Sequence, residues 1–311
     1  MNAHFAKLPD EALLHISGPD TLTFLQGQTT CDTRQVDAGH AVPGAYCTPQ
    51  GRMVCDFLLG QLGDGHFGLR MRRDLLDTAA ATFGKYIVFS RAEIATDRDD
   101  WQVYGCWGDS AASALATALG TAPDAVNAVA GEDHVRVVQL DDQGRYFEIW
   151  QGQDARPGFA AALAAAAQQA TADDWRAERI LAGAGRVEEA TTGLFLPQDL
   201  NYDRTGFVNF RKGCYTGQEI VARLHYRGTP KRRCHPAQLQ GATAAAGDSL
   251  FAAGENQSVG TVVNVAQRAG DCVVLACAAS SALEKGLRLG SPEGPALTLL
   301  TLPYALSDAA G

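Results

Sequence analysis

The sequence predicts an α+β protein with a small all-β domain at its C-terminal end. Three observations carry that reading. Strand alternation and hairpin turns are interleaved with helical periodicity over the first 90 or so residues, and the same mixture returns between about 100 and 182. Beyond Pro230 the pattern changes to short alternating strands separated by glycine turns. For 311 residues, at about 100–200 residues per domain, two or three domains are expected.

In chain order, Ala12–Ile16 reads as a short strand. Ser17-Gly18-Pro19-Asp20 then starts a helix, with Ser17 as cap, Pro19 in the first turn, Asp20 at the positive end and Gly27 as the stop. A hairpin joins Ala45–Cys47 to Met53–Leu59 through Pro49-Gln50-Gly51. A second joins Leu58-Leu59 to Phe67–Leu69 through Asp64-Gly65, a two-residue turn signal. Leu75–Tyr86 is periodic as a helix, and Ile87-Val88-Phe89 reads as a strand leaving it. Strands at 102–106, 135–138 and 145–150 surround an alanine-rich helix near 110–119. Helices over Phe159–Ala170 and Asp173–Ala182 follow, and the last strands are Val259–Val265, Cys272–Ala278 and Leu297–Leu302. Gly63-Asp64-Gly65-His66-Phe67-Gly68 spells the dinucleotide fingerprint. It is followed by strand alternation rather than a helix, so its glycines are assigned to the hairpin.

Composition narrows the function classes. An apolar share of 46% fits a packed globular chain, not a disordered one. The longest unbroken apolar stretch, Phe159–Ala167, falls well short of the roughly 20 residues of a bilayer span. The N-terminus lacks the basic start and apolar run of a secretion signal, so a cytoplasmic protein is expected, with no membrane partner. The eight cysteines (31, 47, 55, 106, 214, 234, 272, 277) include no Cys-x-x-Cys pair. Cys272 and Cys277 lie five apart on a strand and point to opposite faces. No metal site and no disulfide framework is expected, and most of these cysteines read as small buried hydrophobes.

One segment carries chemistry. Thr216 and Glu219 have capping-box spacing, which predicts Thr216 as the cap of a helix over Gly217–Leu224. Cys214 then lies just ahead of a helix N-terminus with Lys212 two residues away, and both favour the thiolate. Gly213 and Gly217 leave room for a ligand, and Tyr215 offers a ring and a hydroxyl. His225 is eleven residues downstream, about 16 Å along a continuous helix, too far to form a dyad with Cys214. Between Tyr202 and His235 eight cations (Arg204, Arg211, Lys212, Arg223, Arg227, Lys231, Arg232, Arg233) face only Asp203 and Glu219. That segment is +6 against a chain total of -9, leaving -15 elsewhere. Such a segment suits an anion-receiving site. The overall acidity, with a pI near 5.2, argues against broad coating of nucleic acid, and no direct nucleic-acid binding is expected.

At these residues the chain resembles the YgfZ-type folate-binding family, relatives of the T-protein (aminomethyltransferase) of the glycine cleavage system. The resemblance rests on Lys212-Gly213-Cys214-Tyr215-Thr216-Gly217-Gln218-Glu219, Ile220-Val221-Ala222-Arg223 and Tyr226-Arg227-Gly228-Thr229-Pro230-Lys231-Arg232. It extends to Phe195–Asn201, Phe24–Asp32 and Thr48–Arg52, and so spans nearly the whole chain. It implies two intertwined ferredoxin-like α+β subdomains around a central cavity, plus a C-terminal β-barrel. Residues 1–230 would form the folate-binding core, with an internal boundary near 95–105, and 231–311 the barrel. It further implies tetrahydrofolate or a derivative as cofactor, and iron–sulfur enzymes or their assembly machinery as partners. The role implied is maturation or repair of such enzymes, including those that modify tRNA. Cys214 and Lys212 would be the reactive pair. Tyr215, Gly213, Gln218, Glu219, Arg223, Arg227, Gln198, Gln28 and Thr30 would bind the folate, the arginines taking its glutamate carboxylates. T-proteins carry acids where this chain has Cys214 and Leu181, and Arg70–Asp74 holds no counterpart of their catalytic aspartate. Stand-alone turnover is therefore not expected; the alternative is a folate-dependent aminomethyl or one-carbon transferase.

Overall fold

The computed structural model describes residues 2–96, 100–132, 134–155, 158–268 and 270–306. The chain forms two compact units. One comprises residues 1–44 and 57–175; the other comprises 45–56 and 176–311.

The first unit is α+β. One of its sheets has the order Gln168–Gln169, His4–Lys7, Trp101–Trp107, Tyr146–Gly152, Val135–Gln139, Val129–Ala130. All its pairings are antiparallel except that of Gln168–Gln169 with His4–Phe5. The helices Ala111–Leu119 and Phe159–Ala166 bury Ala111, Leu115, Phe159 and Leu163 in a core with Phe5, Val137, Phe147 and Ile149. A second cluster gathers Trp101, Trp107, Trp150 and Trp175 with Leu13, Leu58 and Val103. A five-stranded sheet has the order Val42–Cys47, Met53–Gly63, His66–Arg72, Glu11–Ser17, Glu93–Ala95. Its first two strands carry the chain out of this unit and back. Gly65, in the left-handed region at φ +62°, makes the turn read from Asp64-Gly65, so the fingerprint glycines are a hairpin.

Several local expectations are corrected. The first helix runs Thr21–Gln28: Ser17 ends a strand, Pro19 lies outside the helix, and Asp20 is the N-cap residue without capping. The Asp20 carboxylate is instead taken by Arg91, whose Nη2 donates at 2.9 Å and whose backbone N–H donates at 3.0 Å. The helix passes through Gly27 and ends at Gln28, with Thr29 as its extended C-cap. Ile87–Phe89 is not a strand. Ile87 completes the inner stripe of the Leu76–Ile87 helix with Ala79 and Phe83, while Val88 and Phe89 are exposed. The helix starting at Phe159 stops at Ala166, because Gln168–Gln169 joins the sheet. The final strand is Ala296–Leu299.

The second unit contains a closed barrel of six strands in the order Arg232–Leu239, Asp271–Ala279, Ser258–Arg268, Ser249–Ala252, Leu287–Leu289, Ala296–Leu299. The barrel is filled by Ala237, Leu239, Leu250, Val262, Val274 and Leu287. Cys272 shares that interior, whereas Cys277 turns outward and donates its S–H to the Asp199 carbonyl at 3.4 Å; the two thiols lie on opposite faces, as strand alternation requires. The α+β class expected from the sequence, with its barrel, is the observed fold. Among the described residues no helix is long and apolar enough to cross a membrane, and no group of three or more His, Cys, Asp or Glu is placed to hold a metal ion.

Candidate functional site

The site is built on a short hairpin, a turn and a helix, all in the second unit. The turn of residues 48–51 is closed by Gly51 N–H donating to Thr48 O at 2.8 Å, and Met53 N–H donates to Phe195 O at 2.9 Å. The helix is Gln218–Arg227, and Gly217 precedes it at φ +83°. A Cβ at Gly217 would lie 2.3 Å from Thr48 O and 3.1 Å from the Cys47 side chain, so only glycine lets the helix start against the hairpin. The N-cap position falls on Gly217, not on Thr216, which corrects the capping-box expectation. Gln218, the first helical residue, accepts the Tyr215 N–H at Oε1 (3.1 Å) and closes the turn instead.

In the loop ahead of the helix, side chains alternate between inside and outside. Lys212 and Tyr215 are buried; Gly213 and Cys214 are exposed. The Lys212 ammonium lies 5.2 Å from the centre of the Tyr215 ring, a cation–π arrangement. Burial, followed by the neighbouring Cys47, pushes the Tyr215 phenol far above its usual range, so it is a neutral donor. Two inward anchors thus hold the loop and display Cys214. Of the eight cysteines Cys214 alone is exposed. Burial raises the thiols of Cys55 and Cys106 to about 12 and that of Cys234 well above its usual value.

Gln198 is completely buried in the turn Pro197–Leu200. Its Nε2 donates to the Val221 carbonyl of the helix at 2.8 Å, which settles the amide orientation, and its Oε1 has no hydrogen-bond partner among the described residues. The turn is clamped from below. Arg233 donates to the Gln198 carbonyl at 2.9 Å and forms a two-pronged pair with Asp203 at 2.6 and 2.9 Å, and Arg232 reaches Asp199 at 2.9 Å. Arg204 also pairs with Asp203, at 3.5 Å. The basic segment therefore divides. Arg204, Arg232 and Arg233 are structural, whereas Arg211, Arg223, Arg227 and Lys231 are exposed with no ion-pair partner among the described residues. Glu219, Arg223 and Arg227 recur at intervals of four and share one face of the helix.

Sequence reasoning missed a second group in this unit. Asp56, wholly buried, accepts from the Arg186 guanidinium, the Val187 N–H and the Tyr202 hydroxyl (2.8 Å). Burial, then the Asp56 charge, holds the Tyr202 phenol far above its usual range. The one signal was a lone acid inside the apolar strand Met53–Leu58. Of the expected site residues, Gln198 and Lys212, Gly213, Cys214, Tyr215, Gln218, Glu219, Arg223 and Arg227 all belong to this unit. Gln28, half-buried at the end of its helix, and Thr30, fully buried, belong to the other.

No family model matches the chain. The tRNA-modifying protein YgfZ of Klebsiella pneumoniae (strain 342) is 34% identical over 309 residues, covering 97% of this chain and 93% of that protein. Those of Serratia proteamaculans (31%) and Sodalis glossinidius (32%) match over 97% of this chain. Among solved structures, the glycine cleavage system aminomethyltransferase T of Bartonella henselae superposes with a TM-score of 0.76 at 17% identity, over 98% of this chain and 86% of that one, which shows a shared fold. Full-length likeness at this identity, together with the aminomethyltransferase fold, establishes that the chain belongs to the family of tRNA-modifying proteins YgfZ.

Proposed function

We propose that the chain binds tetrahydrofolate or a derivative and, in the cytoplasm, supports maturation or repair of iron–sulfur enzymes, among them enzymes that modify tRNA. Residues 1–230 would form the folate-binding core and 231–311 a supporting barrel. The observation that carries the folate reading is the orphaned Oε1 of Gln198. A buried acceptor left unpaired costs about 1–3 kcal/mol, and a pterin edge supplies N–H donors of the kind it lacks. The remaining residues fit the group. Tyr215 contributes a buried ring, Gly213 and Gln218 shape the loop around it, and the unpaired Arg223 and Arg227 suit the glutamate carboxylates at the other end of a folate. Glu219, one turn before Arg223 on the same helix face, would line the site beside it. When bound, tetrahydrofolate would supply one-carbon chemistry. The protein's own contribution is to bury the ring, pair its N–H groups and hold Cys214 at the surface, with Lys212 fixing the loop that carries the thiol.

A transferase would need a free carboxylate. The described buried acids of this unit, Asp56 and Asp199, are held by Arg186 and Arg232, and Leu181 is a half-buried leucine at the end of its helix. The experiment combines titration of tetrahydrofolate with a cellular assay of tRNA methylthiolation. Gln198→Leu should weaken folate binding about 2- to 12-fold, the worth of one buried hydrogen bond. Cys214→Ala should bind folate normally and lose support of methylthiolation. Undiminished folate affinity in the first variant, or full cellular support by the second, refutes the corresponding assignment.

A further inference from the structure

The helix Gln218–Arg227 ends on two neighbouring aromatic side chains, His225 and Tyr226, and both line an open pocket of about 480 Å³ with Gly206, Val208, Phe210 and Arg211. The His225 ring stacks on Phe210, with centroids 3.6 Å apart and planes 9° from parallel. Tyr226 stands edge-on to both, at 4.8 Å from His225 and 6.1 Å from Phe210, and is 65% exposed. None of these residues belongs to the folate reading, and no acid lines the pocket. We propose that this pocket receives one unstacked base of a single-stranded RNA segment, with Arg211 holding a neighbouring phosphate.

Two independent features select that occupant. Planar rings grouped at an open surface favour a planar partner, because stacking needs a π-face and every base has one. Arg211 is exposed and carries no ion-pair partner among the described residues, although Arg204, Arg232 and Arg233 of the same basic segment are all paired. A guanidinium left unpaired beside an acid-free pocket is matched by phosphate. An acidic peptide would use the cation and leave the rings idle; a neutral apolar segment would do the reverse. The chain total of -9 describes the whole surface and does not oppose a local cation. The site also adjoins the displayed thiol. Arg211 and Cys214 are three residues apart, so their backbones lie within about 11 Å of each other, and RNA held here would rest beside Cys214.

The test is fluorescence anisotropy of the full-length protein with labelled single-stranded RNA of about ten nucleotides and with an unmodified tRNA transcript, between about 50 and 200 mM salt. The wild type should bind both. Tyr226→Ala, at an exposed position that does not threaten folding, should raise Kd about 5- to 150-fold, the loss of one base stack. Arg211→Ala should reduce the slope of log K against log salt by about 0.7, one phosphate on a single strand. Arg145→Ala, an exposed arginine paired with Asp109 in the other unit, should leave both readings unchanged. Absence of binding by the wild type, or an unchanged Kd in Tyr226→Ala, overturns the proposal. So does a glutamate-rich peptide that binds as tightly as the RNA and depends on Arg211 but not on Tyr226; that result would assign the pocket to an acidic protein partner.

Discussion

Two glycines four residues apart allow the construction of the site to be tested by subtraction. Gly213 and Gly217 both lie at positive φ, +130° and +83°. A Cβ at Gly213 would meet nothing within 4 Å, whereas one at Gly217 would lie 2.3 Å from the Thr48 carbonyl oxygen, which is backbone and cannot swing aside. Gly213→Ala therefore incurs conformational strain alone, about 1–3 kcal/mol. Gly217→Ala incurs a similar strain plus a steric term of about 1–3 kcal/mol for forcing a methyl into packed structure. The excess of about 2 kcal/mol corresponds to a further fall in Tm of roughly 4–8 °C for a unit of this size. Thermal unfolding by circular dichroism gives the ranking, and hydrogen exchange shows where the loss falls, which should be the Gln218–Arg227 helix and the 48–51 turn. Equal destabilisation by the two variants, or loss of protection confined to the barrel, would refute the claim that Gly217 seats the helix on the hairpin.

Cysteine labelling offers a second check. A maleimide should modify one thiol per native chain quickly and all eight after unfolding, and Cys214→Ala should abolish the fast phase; two fast labels would show that a second cysteine is accessible. Asp32 supplies a pH dependence. Hydrogen bonding from Arg34 holds its carboxyl at about 2, below its ordinary 3.8. The depressed value means its stabilisation is complete above the ordinary value and is lost as pH falls toward about 2. Between pH 4 and 2 the wild type should therefore lose stability more steeply than Asp32→Asn, and parallel acid limbs would contradict this sign.

The sequence was most legible where a local pattern also serves the tertiary structure. Asp64-Gly65 turns a hairpin, and the alternation of Cys272 and Cys277 across the barrel wall follows from strand geometry. It misled where a side chain with local capacity is claimed by a distant partner. Asp20 has the chemistry of a cap but is taken by Arg91, 71 residues away. Thr216 has capping-box spacing, yet Gly217 in a left-handed conformation and the Gln218 amide do the closing. Ile87-Val88-Phe89 is as apolar as a strand, but only Ile87 finds a core. The Lys212–Glu219 motif marked the loop, but not the division of labour within it, because which side chains turn inward depends on a hairpin about 160 residues upstream. Gln198 was marked by resemblance, while its unpaired oxygen is a property of burial that no residue pattern encodes. The same holds for the cations: eight in one segment look equivalent until Asp199 and Asp203 withdraw three of them.

The hairpin of residues 45–56 belongs with a unit whose other members begin at Arg176. During synthesis it emerges from the ribosome about 120 residues before them, a wait of roughly 6–24 s at ordinary elongation rates. Throughout that interval Cys47 lacks the Tyr215–Gly217 loop that packs beside it, and the Asp56 carboxylate lacks Arg186, the Val187 N–H and Tyr202. The nascent chain is thus most vulnerable to oxidation and mispairing midway through translation, and slowing elongation between codons 56 and 176 would prolong that exposure rather than assist folding.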